Sequence, residues 1–420
     1  MMINTNQIQE TNLLTETKRW IILFLSCLVT LCIGSLYSWS AFATPLAQHL
    51  SSITGKEISN LAIVFTIANA VGPITMISGG YVNDRLGPKR VLFLGSAFFG
   101  GGLFLTGFAQ NLPLVIITYS LGVGLGVGMI YGISTATAVK CFPDKAGFAG
   151  GLVTACYGGS SIIMPIIART LIDKFGISMA FHLLGIVMFC VIFISAFVIG
   201  NYSNEILNNS HDVSNPSNKE YHYKEMIKQP SFYLMLLTLS CGAFAGLMVI
   251  SQAFQIGQKL MGFSLAKATL VVSILALFNT LGRLGSGTLS DRIGAPATLR
   301  LSLLFSIVAN VMLYFSNTDL TLIFYIALSM IGISFGSIMG IFPGFTAKQF
   351  GRKNNSMNYG IMFIGFALAG LFGPLIMSTI FTSTGTFQPA FLISATLGVM
   401  GLILIFTFSK IQGRNLGQLL

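Results

Sequence analysis

Apolar residues in this chain come in long blocks rather than in helical stripes or strand-like alternation. Blocks near 20 residues suit a hydrocarbon core ~30 Å thick at 1.5 Å per residue, whereas a soluble helix needs only one apolar face. Twelve blocks can be drawn, roughly 20–43, 58–81, 91–109, 113–139, 147–171, 179–200, 231–256, 266–289, 298–316, 320–345, 357–382 and 388–409. Each is predicted to be a membrane-spanning helix. The only long polar interruption is Asn201–Gln229, with mixed charges and several Asn and Ser, and it reads as a linker. The expected organisation is a tail (1–19), a six-helix bundle (20–200), a linker (201–230), a second six-helix bundle (231–409) and a tail (410–420). The fold class is an all-α membrane protein with twelve transmembrane helices.

Composition agrees. The 420 residues are 54% hydrophobic and 8% charged, against roughly 25% charged in a typical soluble domain. The net charge of +11 could suggest nucleic acid, but its distribution points to membrane orientation instead. Of 23 Lys and Arg, 17 fall in the termini, the linker and one set of alternate loops. The other set holds only Lys56, Arg169, Lys174, Lys259 and Lys267. This bias predicts that both termini and the linker are cytoplasmic, in what is expected to be a bacterial inner (plasma) membrane. Residues 1–17 lack the basic-then-apolar order of a cleavable signal, so the first block is expected to be a true span. The six cysteines show neither metal-ligand spacing nor a disulfide framework.

One residue breaks the pattern. Arg283 sits in the middle of the apolar, glycine-rich segment Ala276–Gly294. A charge at that depth costs at least ~2.5–3.5 kcal/mol on insertion scales, so it marks a functional site by default. All twelve acidic residues fall in loops, termini or helix ends, so no protein carboxylate is expected beside it. A guanidinium stays protonated and grips a carboxylate bidentately, which points to an anionic ligand. The alternative is an arginine satisfied by backbone carbonyls or a buried carboxylate.

The two halves repeat. GGYVNDRLGPKR (Gly79–Arg90) returns as GSGTLSDRIG (Gly285–Gly294), with Asp84 and Asp291 207 residues apart. Lys140 and Phe142 return as Lys348 and Phe350, 208 residues on. Stepping back 207 residues from Arg283 lands on Met76, so the cation has no symmetry mate. Parallel repeats of this kind are a transporter architecture, with the substrate site near the midplane between the halves.

The G-x-x-x-D-R-x-G loops, once per half, resemble the signature of the major facilitator superfamily. Finer motifs resemble its oxalate/formate antiporter family and related monocarboxylate transporters. They are LYSWSAF (Leu36–Phe42), GVGMIYG (Gly126–Gly132), KCFPDKAGFAGG (Lys140–Gly151), TACYGG (Thr154–Gly159), the Arg283 segment and NYG (Asn358–Gly360). The resemblance covers essentially the whole chain. It implies the two-bundle fold of that superfamily, with Arg283 binding a substrate carboxylate and Tyr37, Tyr131 and Tyr157 lining the cavity. It also implies that Asp84, Arg85, Asp291 and Arg292 form latches between helices that break and reform. For each of these charged residues the alternative is membrane anchoring or turn formation.

Three departures from the relatives narrow the reading. A second cation, a lysine in the dicarboxylate-carrying relative, is Phe366 here. An aspartate one turn before the arginine in related monocarboxylate porters is Asn279 here, able to hydrogen-bond but not to ionise. Bulky aromatic positions in the tenth span correspond to Phe335 and Met339. A single cation would leave a dianion under-neutralised, so the expected substrate is a small organic monocarboxylate. A proton or counter-anion is the candidate co-substrate, the protein is expected to act as a monomer, and no cofactor or nucleic acid is implied. The rival readings are a dicarboxylate exchanger, a carrier of amino acids or drugs, and a non-transporting anion sensor. The four histidines (His49, His182, His211, His222) are scattered, and no nucleophile–base pair or metal cluster emerges, so an enzyme is not expected.

Overall fold

The computed structural model describes residues 5–58, 61–209 and 220–417, and among them every regular element is a helix. The N-terminal bundle contains α1 (Glu16–Thr54), α2 (Ala62–Leu86), α3 (Pro88–Thr106) and α4 (Leu112–Cys141). A helical stretch Ala146–Asn209 follows, broken at Gly176 (φ 79°, ψ 167°) into α5 (146–175) and α6 (177–209). The C-terminal bundle contains α7 (Pro230–Lys259), α8 (Leu265–Ile293), α9 (Ala295–Phe315), α10 (Thr321–Phe350), α11 (Asn355–Thr384) and α12 (Gln388–Gly417).

Ten stretches are long and apolar enough to cross a bilayer among the described residues. One of them is the α5–α6 pair, which counts twice. The 19-residue α3, with Lys89 and Arg90 in its first turn, completes the twelve. Helix ends differ from the sequence expectation. α1 continues past residue 43 to Thr54 by winding through a 3-10 segment at Gly34–Ser38. α4 contains a π-helical stretch, Ile116–Val123, which apolar periodicity does not reveal. α6 runs on to Asn209, and the expected linker ends in a short turn of helix at Tyr223–Met226. His211 and the middle of that linker, 210–219, lie outside the described residues, as do 1–4 and 418–420 of the expected tails.

The two repeat loops fold alike. Gly87 and Gly294 close α2 and α8 at φ 77° and 87°, a conformation that L side chains resist. A proline starts the next helix in both cases, Pro88 in α3 and Pro296 in α9. The start of α1 and the end of α12 lie on one face of the molecule. Arg19 pairs with Asp144 in the α4–α5 turn, and Ser409 accepts a bond from Arg300 near the start of α9.

The bundles meet close to this termini face. Gly147 of α5 lies so close to Gly287 of α8 that a Cβ on either would strike the other's backbone. Gly80 of α2 is similarly pressed against Ser356 of α11. Small residues permit this approach where apolar lipid supplies no hydrophobic drive between helices. Among the described residues, every hydrogen bond joining the two bundles lies between the level of Arg283 and the termini face.

Candidate functional site

Arg283 sits where the sealed half of the interface gives way to a cavity. Its side chain is 1% exposed. Nε donates to Oδ1 of Asn279, one turn earlier on α8, at 3.0 Å. Nη1 donates to the Thr154 carbonyl of α5, in the other bundle, at 2.9 Å. Behind it α10 approaches through Gly336 and Gly340, where a Cβ would collide with the backbone of Asn279 and of Arg283. The Phe335 ring lies 5.9 Å from the guanidinium carbon.

These contacts engage two of the five guanidinium donors. Hydrogen bonds to a charged group are worth about 1.5–3 kcal/mol each, less than burying an ion without a counter-charge requires. No carboxylate pairs with Arg283 among the described residues. The carbonyl alternative is therefore realised in part, and the positive charge itself is left uncancelled. Tyr37 and Tyr131 line the same cavity as the guanidinium.

Aromatic rings continue from those tyrosines around the cavity. Tyr157 packs edge-on against Tyr37 at 5.0 Å and against Tyr131 at 4.9 Å. Tyr131 meets Phe363 at 5.6 Å, Phe363 stacks on Phe366 at 4.6 Å, and Phe366 reaches Phe335 at 6.4 Å. Both bundles contribute, so the rings run from one wall to the other and back to Arg283. The space they line has an empty volume of about 520 Å³, counting the part that opens to solvent. Tyr37, Tyr131, Tyr157, Arg283, Met339 and Phe366 all line it. Met76, the repeat position matching Arg283, lines it too, so this cavity carries its charge on one wall only.

Two expected site residues stand one layer back. Asn279 orients the guanidinium instead of facing the cavity, and Phe335 backs it. Others were not singled out from the sequence. Phe363 completes the aromatic circuit, Asn69 lines the α2 wall, and Thr154 supplies the cross-bundle carbonyl. Thr154 falls in the TACYGG motif, but a backbone carbonyl leaves no side-chain signal.

The expected latches divide by charge. Asp84 accepts from the Ser356 and Met357 N–H groups at 3.3 and 2.8 Å, and from Lys140 Nζ at 2.6 Å. Asp291 accepts from the Gly147 and Phe148 N–H groups at 2.9 and 2.7 Å, and from Lys348 Nζ at 2.8 Å. Each aspartate thus caps the first turn of a helix in the opposite bundle, α11 for Asp84 and α5 for Asp291, where orphan N–H groups favour an anion. Arg85 instead lies over the Tyr81 ring at 4.2 Å, and Arg292 is exposed. The counter-charges come from the other repeated pair, Lys140 and Lys348.

Twelve membrane helices in two pseudo-symmetric bundles, with a polar-headed cavity between them, define a membrane transporter fold. The chain belongs to the Major Facilitator Superfamily, whose family model matches residues 20–370. It is 31% identical to the oxalate:formate antiporter of Oxalobacter formigenes over 94% of this chain and 92% of the relative. It is 25% identical to NarT of Staphylococcus carnosus, a probable nitrate transporter, over 89% and 92% of the two chains. Among solved structures, the superfamily transporter FucP in its outward conformation superposes with a TM-score of 0.66 at 17% identity, covering 93% of this chain and 99% of that one. The protein is an integral membrane transporter of this superfamily.

Proposed function

We propose that the protein carries small organic monocarboxylates, binding the carboxylate at Arg283. The observation that carries this reading is a buried guanidinium at the head of a cavity, with no carboxylate partner among the described residues. Its spare donors match a carboxylate's two oxygens, and in a water-poor cavity such charge-assisted bonds are strong. Asn279 fixes the fork, the hydroxyls of Tyr37, Tyr131 and Tyr157 donate to the substrate oxygens, and Met339 and Phe366 enclose the apolar body with Phe335 packed behind them. The names of two relatives, which specify oxalate with formate and nitrate, support an anion as cargo.

Transport proceeds by rocking of residues 1–200 against 230–420, which exposes Arg283 alternately to each side. With the termini in a bacterial cytoplasm, the present conformation is sealed on the cytoplasmic side by Asp84 and Asp291. Breaking these contacts and closing the opposite side completes the cycle. The protein acts as a monomer, with a counter-anion or a proton as co-substrate.

Thermal-shift titration of the purified protein with formate, acetate, lactate and oxalate tests the substrate class. Stabilisation by the monoanions supports the reading. Stabilisation by oxalate far above the others would favour a dicarboxylate exchanger.

A further inference from the structure

Residues Glu220–Gln229, just before α7, pack beneath the turn that joins α10 to α11. We propose that this segment is a strap that positions the Asp84 receptor site, with Glu220 as its positioning residue. Oε1 and Oε2 of Glu220 accept from the backbone N–H groups of Arg352 and Lys353 at 3.1 and 2.8 Å. The Tyr221 N–H donates to the Phe350 carbonyl at 2.9 Å. The Tyr221 carbonyl accepts from Nδ2 of Asn354 at 3.2 Å and of Asn358 at 3.0 Å. The Tyr221 ring stands edge-on to Phe350 at 6.0 Å, and fully buried Met226 anchors the segment.

These contacts bracket the two N–H groups that Asp84 captures, those of Ser356 and Met357. The strap therefore holds both sides of a receptor that Asp84 has to find again each time the bundles close. The turn also depends on Gly351, at φ +89°, where a Cβ would run into Oε2 of Glu220. Asn358, in the NYG motif, is fully buried, and its amide bond to the strap gives it a role outside the cavity.

The other bundle carries a device of the same kind. The opening turns of α1 lay Trp20 edge-on to Phe142 at 5.0 Å, and Arg19 pairs with Asp144 at 3.2 Å. Phe142 and Phe350 are the repeated phenylalanines of the two halves. In one bundle the opening turns of its first helix, and in the other the segment just before it, hold the turn whose following N–H groups the opposite aspartate caps. The polarity is reversed: a cation at the start of α1 in one bundle, a carboxylate on the strap in the other. The 201-residue spacing of Trp20 and Tyr221 departs from the repeat, so these are separate solutions to one mechanical need.

Hydrogen exchange read by mass spectrometry on the full-length protein in lipid nanodiscs tests the proposal without a substrate. Glu220→Gln and Glu220→Ala are expected to speed exchange about ten-fold in 350–358 and, across the interface, in 79–86 at the end of α2. Asp84→Asn should loosen 355–358 and 79–86 while 351–353 stays slow. Asn354→Ala, which removes one bond to Tyr221, should move the same two regions by less and guards against a misfolded Glu220 variant. The proposal is overturned if, in folded Glu220 and Asn354 variants, 79–86 exchanges as in wild type, whether or not 350–354 loosens. A purely local anchor would give that result.

Discussion

Asp84 and Asp291 make the same cross-bundle contact in opposite directions. Asp84 reaches from the N-terminal bundle to the Met357 N–H at 2.8 Å, and Asp291 reaches from the C-terminal bundle to the Phe148 N–H at 2.7 Å. Each is neutralised by a lysine of its own bundle, so the charge travels with the bundle and the backbone receptor belongs to the partner. Such contacts can break without stranding a bare carboxylate.

Asp84→Asn and Asp291→Asn are each expected to shift the population away from closure at the termini face. Losing the charge-assisted bonds weakens closure by about 1.5–3 kcal/mol, or roughly 10–150-fold in the equilibrium. Electron–electron resonance distances between labels at the termini-face ends of α2 and α11 should lengthen. Unchanged distance distributions in both variants would remove the aspartates from the gate.

The lysine partners should not be equivalent. Lys140 and Asp84 are 8% and 5% exposed, whereas Lys348 and Asp291 are 45% and 12%. Lys140→Met leaves a buried carboxylate without its counter-charge, which costs about 3–5 kcal/mol. Lys348→Met removes a largely solvated cation and costs about 1 kcal/mol or less. Thermal melting in detergent should rank the variants in that order, and equal losses would contradict the asymmetry.

Asn279 tests how the guanidinium is aimed. Asn279→Ala removes the acceptor for Nε and should weaken anion binding by about 1–3 kcal/mol, or roughly 5–150-fold. Asn279→Asp should weaken it further, because an internal carboxylate one turn away competes for the same cation. Thermal-shift titration with formate or acetate reads both. Tighter binding by the Asp variant would mean that Arg283 is not the anion's principal contact.

In the proposed function, Phe366 stands where a second cation would allow a doubly charged cargo. Phe366→Lys places a second cation on the cavity wall and should turn selectivity from monoanions toward oxalate. The ratio of oxalate to acetate stabilisation is expected to rise at least about ten-fold, the equivalent of 1.4 kcal/mol. An unchanged ratio would show that Phe366 does not face the bound anion.

The fold was largely legible in the sequence because bilayer thickness sets helix length and the Asp-Arg loops recur at one spacing. The lone charge of Arg283 and the tyrosines of α1, α4 and α5 also led to one cavity. Cross-bundle geometry was not legible. That Asp84 meets Ser356 and Met357, and that Lys140 serves as its counter-charge, depends on helix placement rather than local pattern. The arginines adjoining both aspartates drew the eye from sequence, but they face a ring or solvent. Thr154 contributes its backbone carbonyl, and the Glu220 carboxylate meets the backbone N–H groups of Arg352 and Lys353, so neither contact is marked by a pair of side chains in the sequence. Phe363 is one apolar residue among many until the ring stack places it.

Uptake of labelled monocarboxylates by proteoliposomes containing wild type, Arg283→Lys or Arg283→Ala tests the central claim most directly. With insertion and folding matched, Arg283→Ala is expected to lose transport to background. Arg283→Lys should retain at most about a tenth of it, because an ammonium keeps the charge but lacks the planar fork. Wild-type rates in both variants would contradict the assignment of Arg283 as the carboxylate-binding residue.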